Sequence, residues 1–117
     1  MDKAERDYVL YLEDMQTALE RLMRYTDALD FENFERNYLV LDAVMMNFSK
    51  LGEAAKKVPE EIKEKYPEMP WKQMYGLRNL VAHEYFGLNT SKLWEIIIEN
   101  IPANKQEIDR ILAIETQ

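Results

Sequence analysis

Three polar residues with complementary chemistry lie close together in the segment from Arg78 to Tyr85. Arg78 is a permanent cation whose planar guanidinium can hold a phosphate through two N–H donors. His83, the only histidine in the chain, titrates near neutral pH and can move a proton. Asn79 can orient a ligand through its amide. A lone histidine is more often structural, but a plain surface of this chain would more often carry Lys and Glu. The combination therefore indicates a site for a phosphate group.

Helical periodicity separates this segment into two faces. At about 100° per residue, Ala82 falls between Arg78 and His83 and leaves open space there. Tyr85 lies about two turns after Arg78, so it falls near the same stripe if the helix continues. The polar face then holds Arg78, Asn79, Ala82 and His83, and the core face holds Met74, Leu77, Leu80 and Val81. Ordinary solvent exposure of the polar face is the alternative interpretation.

Apolar spacing of three and four residues predicts helices along the whole chain. In the second predicted helix the buried seam runs through Phe34, Tyr38, Leu41, Met45, Phe48 and Gly52, and Gly52 would let another helix approach closely. Asn89 or Thr90 can cap a later helix, and Gly87 is a predicted stop. The predicted helices cover 3–28, 31–56, 60–66, 71–84, 91–99 and 102–114.

The composition fits one folded domain over residues 1–117, with 47% apolar and 32% charged residues. The chain has no Cys and no apolar run long enough for a signal peptide or a membrane span, so we expect a cytoplasmic protein. The net charge of −7 argues against a general nucleic-acid coat protein, although a local basic groove is compatible with it. Seven Met and seven Tyr hint at an oligomer interface.

Several motifs together resemble the HepT-type HEPN-domain proteins, over nearly the whole chain. Arg-x4-His alone is a weak signal, but the combination at these distances is strong. Glu84 stands where the family pattern leads us to expect Asp, a conservative change. The motifs are Arg78 to His83 followed by Glu84-Tyr85-Phe86, Gly76-Leu77 before Arg78-Asn79, Pro70-Trp71, the stretch from Asn47 to Ala55 with its Gly-Glu-Ala-Ala, and Trp94.

The resemblance implies an all-α, antiparallel HEPN-like bundle of about five to six helices that forms a homodimer with its active site at the interface. It implies the toxin of a type VII-like HepT/MntA toxin–antitoxin system, a metal-independent endoribonuclease without a cofactor. Arg78 and His83 would be the catalytic pair, with Asn79 in support. The antitoxin, a separate MntA-type nucleotidyltransferase, would transfer AMP from ATP to Tyr85.

The chemistry of RNA cleavage agrees with that implication. Without a metal, the ribose 2′-OH needs a base, the leaving 5′-oxygen needs an acid, and the transition state needs positive charge. One chain offers a single His, so a two-fold dimer would supply the pair. A metal site is less attractive, because one His and no Cys leave mainly carboxylates. A non-catalytic nucleotide-binding partner of a nucleotidyltransferase and a purely structural dimerisation bundle stay open as alternatives.

Other residues have more ordinary interpretations. Glu53 could orient Arg78 or be a solvated carboxylate. Asp42 and Asn47 flank the seam and are candidate interface polar groups, and Trp71 and Trp94 are predicted anchors of the core or an interface. The densest basic stretch, in which RNA contact is a minor possibility beside a solvated face, contains Lys50, Lys56, Lys57, Lys63 and Lys65.

Overall fold

Helices make up the secondary structure of this computed structural model, which describes residues 3–84 and 89–117, with side chains for 7–81 and 89–117. The all-α prediction is confirmed for that part of the chain. The described helices number seven because one predicted helix is divided in two. They are α1 (Lys3–Thr26), α2 (Phe31–Arg36), α3 (Tyr38–Lys57), α4 (Glu60–Lys65), α5 (Trp71–Glu84), α6 (Thr90–Glu99) and α7 (Ile101–Glu115).

Helix α3 is the centre of the bundle, because it packs against both α1 and α5, and α7 also packs against α1. The Lys57 ammonium at the end of α3 lies 5.7 Å from the centroid of the Tyr11 ring near the start of α1, so these two helices run antiparallel. The apolar stripe of α1 is fully buried at the spacing predicted from the sequence, through Leu12, Met15, Leu19 and Leu22.

The predicted single helix over 31–56 is wrong at Asn37, where the structure has a break. Asn37 leaves the helical region (φ −96°, ψ 90°) and its side chain accepts a hydrogen bond from the Val40 amide at 3.1 Å, which caps the start of α3. The short helix α2 is capped in the same way by Asp30. Its Phe34 is buried, with its ring 4.9 Å from that of Trp94. Apolar spacing alone cannot show this side-chain capping.

The break also changes the predicted seam of the second helix. Phe34, Leu41, Met45 and Phe48 are buried as predicted, but Tyr38 is 77% exposed. Tyr38 begins α3 directly after the Asn37 cap, so its side chain does not follow the phase of the residues before the break.

The start of α5 is fixed by Trp71. Its side chain is buried, and its indole N–H donates to the Tyr66 carbonyl oxygen at 2.9 Å. The Met74 amide donates to the Pro70 carbonyl oxygen at 2.9 Å and closes the first turn. The first of these bonds attaches the start of α5 to the end of α4. The predicted stop at Gly87 lies outside the described residues.

A carboxylate near the chain's end joins α7 to α1 and α4. Glu115, with a side chain only 6% exposed, accepts from the Tyr8 hydroxyl and the Lys65 ammonium, each at 2.7 Å, and from the Tyr66 hydroxyl. Burial raises the pKa of Glu115, but these hydrogen bonds outweigh burial and hold its pKa below the ordinary value. This network closes one end of the bundle. Among the described helices, none is long and apolar enough to cross a membrane.

Candidate active site on helix α5

Helix α5 lies against α3 at very short range at Gly52. A Cβ atom added to Gly52 would lie 3.0 Å from both Cβ and the backbone nitrogen of Arg78, and 3.2 Å from the Met74 carbonyl oxygen. The predicted close approach at Gly52 is confirmed. Because the neighbouring atoms are largely backbone, this contact fixes the position of the Arg78 main chain.

The two faces of α5 match the sequence prediction as far as its side chains are described. Met74, Leu77 and Val81 are buried, and Leu80 packs partly buried against the core. Arg78 and Asn79 are exposed on the other side. The apolar side chains therefore anchor the helix, and both polar side chains face solvent.

The two remaining residues of the motif are described less fully. His83 lies within α5, five residues after Arg78, but its side chain, like that of Ala82, is outside the described ones. Tyr85 lies outside the described residues altogether. The motif thus begins on a rigidly packed helix.

Glu53 directly follows Gly52 and is exposed. Among the described side chains, neither a hydrogen bond nor an ion pair joins it to Arg78. Its carboxylate instead lines a cleft on the other flank of α3, together with residues of α1.

A hollow of about 380 Å³ lies between α3 and α5. Asp42, Met45, Met46, Ser49 and Val81 line it. Next to it α3 exposes large apolar side chains, with Leu39 82% and Met46 58% exposed. An exposed apolar surface of this kind commonly marks a protein interface. Seven Met and seven Tyr in the composition hinted at such a surface, but its location needed the fold.

Comparison with known proteins places this architecture in a family. The model of the ribonuclease HepT-like family matches residues 15–111, which include α3 and α5. The chain belongs to the HepT-like ribonucleases. The predicted family and enzyme class are therefore confirmed.

Curated relatives of this HepT-like ribonuclease agree with the family model. A Methanocaldococcus jannaschii protein provisionally named RNase is 33% identical over 106 residues, which cover 91% of this chain and 97% of the relative. A second protein of that organism with the same provisional name is 34% identical, with 92% and 93% covered. A Thermococcus cleftensis protein provisionally named ribonuclease HepT is 33% identical, with 92% and 97% covered. No solved structure gives a significant match.

On the α1 flank of α3, this HepT-like ribonuclease has a second concavity of about 460 Å³. Asn47 lines it and is only 4% exposed. Its Nδ2 donates to the Ala43 carbonyl oxygen at 2.8 Å, but within the described part of the chain its buried Oδ1 has no hydrogen-bond partner. Leaving a buried acceptor unpaired costs about 1–3 kcal/mol. We predicted Asn47 as an interface group beside the seam, and the structure buries it facing α1.

The basic stretch of the HepT-like chain does not form one surface. Lys50 and Lys57 line the cleft between α1 and α3, whereas Lys65 forms an ion pair with Glu115. The Lys63 ammonium lies 5.2 Å from the Tyr75 ring centroid. Only the first part of the stretch therefore faces a concavity shared with α1.

Proposed function

We propose that this HepT-like ribonuclease is a toxin of a type VII-like toxin–antitoxin system, a metal-independent endoribonuclease that acts through Arg78 and His83. The observation that carries the proposal is the exposed polar face of α5, which holds Arg78 and Asn79 on a helix anchored by its opposite face. An arginine held in place at its main chain by the Gly52 contact can meet a phosphate without first ordering its backbone.

The proposed reaction is an internal transesterification. A histidine accepts the proton of the ribose 2′-OH, and the 2′-oxygen bonds to phosphorus. The bond from phosphorus to the 5′-oxygen breaks, and that oxygen takes a proton from an acid. The products are a 2′,3′-cyclic phosphate and a 5′-hydroxyl. Arg78 stabilises the charge on the phosphoryl oxygens, and Asn79 orients them.

Two protonation roles need two groups, and each chain has one histidine. We therefore propose a homodimer in which two copies of α5 face each other and supply one base and one acid. The exposed apolar side chains of Tyr38, Leu39 and Met46 support this arrangement, because Met46 lines the hollow that reaches α5 at Val81 and the other two precede it on α3. A second copy covering this surface would bury apolar area and bring the two polar faces together.

Tyr85 is the proposed site at which the partner controls the activity. A partner nucleotidyltransferase of the MntA type would transfer AMP from ATP to the Tyr85 hydroxyl and release pyrophosphate. The added phosphate would meet Arg78 and occupy the path of the RNA. Intact mass after co-expression with such a partner should rise by at least one adenylyl unit, and Tyr85→Phe should prevent the increase. An unchanged mass with an active partner would contradict this part.

The proposed nuclease is tested by cleavage of RNA by the purified protein in EDTA. Arg78→Ala and His83→Ala should each lower the rate by about 100-fold or more, since each removes a group acting in the transition state. Arg24→Ala is the matched control, because Arg24 is an exposed arginine near the end of α1 that pairs with Glu20. Cleavage that survives both active-site substitutions would contradict the assignment. Binding of nucleotides without cleavage would favour the non-catalytic partner module.

A further inference from the structure

The cleft between α1 and α3 contains an unusual set of charges for this protein. Arg21 and Lys50 line it from opposite walls, with the carboxylates of Asp14 and Glu53. Among the described side chains, these four groups make no hydrogen bond or ion pair. Some charged side chains elsewhere do pair with neighbours, as Arg24 does with Glu20 and Lys105 with Asp109.

The net charge of the residues that line the cleft is opposite in sign to that of the whole chain. With Lys57, the lining holds three cations and two carboxylates, whereas the chain carries −7. Both lysines project from α3 and Arg21 from α1, so an anion between the helices would meet cations from both walls. An unpaired cation can bind a phosphate without first breaking an ion pair.

Asn47, which lines the inner wall of the cleft, carries a buried acceptor, Oδ1, that has no donor among the described residues. The Asn47 amide is oriented by its bond to Ala43, which assigns its oxygen as the unpaired atom. Buried polar atoms in native proteins nearly always have a partner, and an exception calls for an explanation, which a bound water, an ion or a ligand group can supply. A ligand with an N–H group would supply that donor.

The far end of the cleft contains an aromatic ring. Tyr11 is half-buried there, with the Lys57 ammonium 5.7 Å from its ring centroid. Tyr11 and Arg21 are ten residues apart, about 15 Å along a helix. The cleft therefore presents cations, a ring and an amide oxygen over a length and volume that suit a small ligand.

We propose that the cleft between α1 and α3 is a second binding site that takes a nucleotide. Its phosphate lies between Arg21 and Lys50, and its base donates an N–H to Asn47 Oδ1. In the RNA case the Tyr11 ring, at the opposite end of the cleft, offers a stacking surface to a neighbouring base. The nucleotide is either a free monophosphate or one unit of an RNA chain. The RNA case rests on the proposed ribonuclease function and would extend substrate binding from α5 across α3.

Binding is tested with ligands that need no cleavage. AMP and a short 2′-O-methylated oligoribonucleotide, which lacks the nucleophilic 2′-OH, are titrated into the full chain and followed by amide chemical shifts and calorimetry. Shifts should concentrate at Asn47, Lys50 and Arg21. A tighter oligonucleotide that AMP displaces identifies an RNA site, and equal or weaker binding of the oligonucleotide identifies a free-nucleotide site.

Variants separate this site from the ribonuclease site. Lys50→Glu and Arg21→Glu should each weaken binding by about tenfold or more, and Asn47→Leu by a similar factor. Arg24→Glu, the same change of charge three residues further along α1, should leave binding unchanged. Arg78→Ala should leave AMP binding in the cleft intact, so loss of cleavage and loss of cleft binding are distinguishable. Absence of shifts in the cleft with both ligands, or equal weakening by Arg24→Glu, would overturn the proposal.

Discussion

The two flanks of α3 differ sharply. Towards α5 the helices touch through backbone at Gly52, which leaves no room even for a methyl group. Towards α1 they leave a cleft of about 460 Å³, and the buried Asn47 amide oxygen has no partner among the described residues. The flank towards α5 fixes the position of that helix. The flank towards α1 leaves polar side chains free to bind a ligand. The same helix thus holds the candidate active-site helix in place and offers a separate surface for a ligand.

The largest expected effect on stability comes from disturbing the close contact between α3 and α5. Gly52→Ala should lower the free energy of unfolding by about 1–3 kcal/mol, because the new methyl group meets backbone atoms of α5 that cannot move independently. Chemical denaturation measures this change. RNA cleavage should fall as well, because α5 and Arg78 are displaced.

Gly76→Ala is the matched control for that substitution. A Cβ at Gly76 would meet nothing within 4 Å, so alanine should raise stability by about 0.5–1 kcal/mol through its better helix propensity. Equal effects at the two glycines would show that the close contact at Gly52 does not determine the position of α5.

Removing the charge of Glu115, which has three hydrogen-bond donors, should lower the stability more than removing the charge of Glu53, which lines the cleft. Glu115→Gln should cost about 1–2 kcal/mol, because Tyr8, Tyr66 and Lys65 lose a charged acceptor. Glu53→Gln should change stability by less than about 0.5 kcal/mol, since Glu53 is exposed and has no partner among the described residues. Urea unfolding of both variants at neutral pH makes the comparison, and a larger cost at Glu53 would contradict it.

The hydrogen bonds to Glu115 also predict how the stability of the fold decreases at low pH. The pKa of Glu115 is lower in the folded protein than in the unfolded chain, so its contribution is fully present above the ordinary value of 4.5. The contribution is lost as pH falls through the lower, folded pKa. Urea unfolding from pH 6 down to pH 3 should show a decline that is shallower in Glu115→Gln. An identical decline in both proteins would contradict this role.

The smallest expected effect is a gain in stability from a substitution in the cleft between α1 and α3. Asn47→Leu should leave stability unchanged or raise it by up to about 1 kcal/mol, because it removes an unpaired buried acceptor. Thermal unfolding measures the change. A clear loss of stability would mean that Asn47 is a packing residue, which would remove the structural reason for expecting a ligand in the cleft.

Sequence patterns predicted the parts of this fold that depend on periodicity. The buried stripe of α1, the core face of α5, the exposure of Arg78 and Asn79, and the close approach at Gly52 all follow from residue spacing along a helix. The break at Asn37 was missed because a side-chain cap leaves no trace in apolar spacing. The cap at Asn89, whose side chain accepts from the Lys92 amide, was one of two alternatives.

The cleft between α1 and α3 could not be predicted from the sequence. Arg21 and Lys50 are 29 residues apart in the chain, and only the antiparallel packing of α1 on α3 brings them to one concavity. Helical periodicity likewise shows which face of α3 Asn47 occupies, but it does not show which helix covers that face. Roles assigned to His83 and Tyr85 stay predictions that rest on the motif.

The pH dependence of RNA cleavage by wild type and His83→Ala in EDTA tests the central claim most directly. Two copies of one histidine acting as base and acid predict a bell-shaped profile with its maximum near neutral pH, and His83→Ala should abolish that profile with a loss of about 100-fold or more. A profile without a maximum, or one that His83→Ala leaves unchanged, would contradict catalysis by this residue.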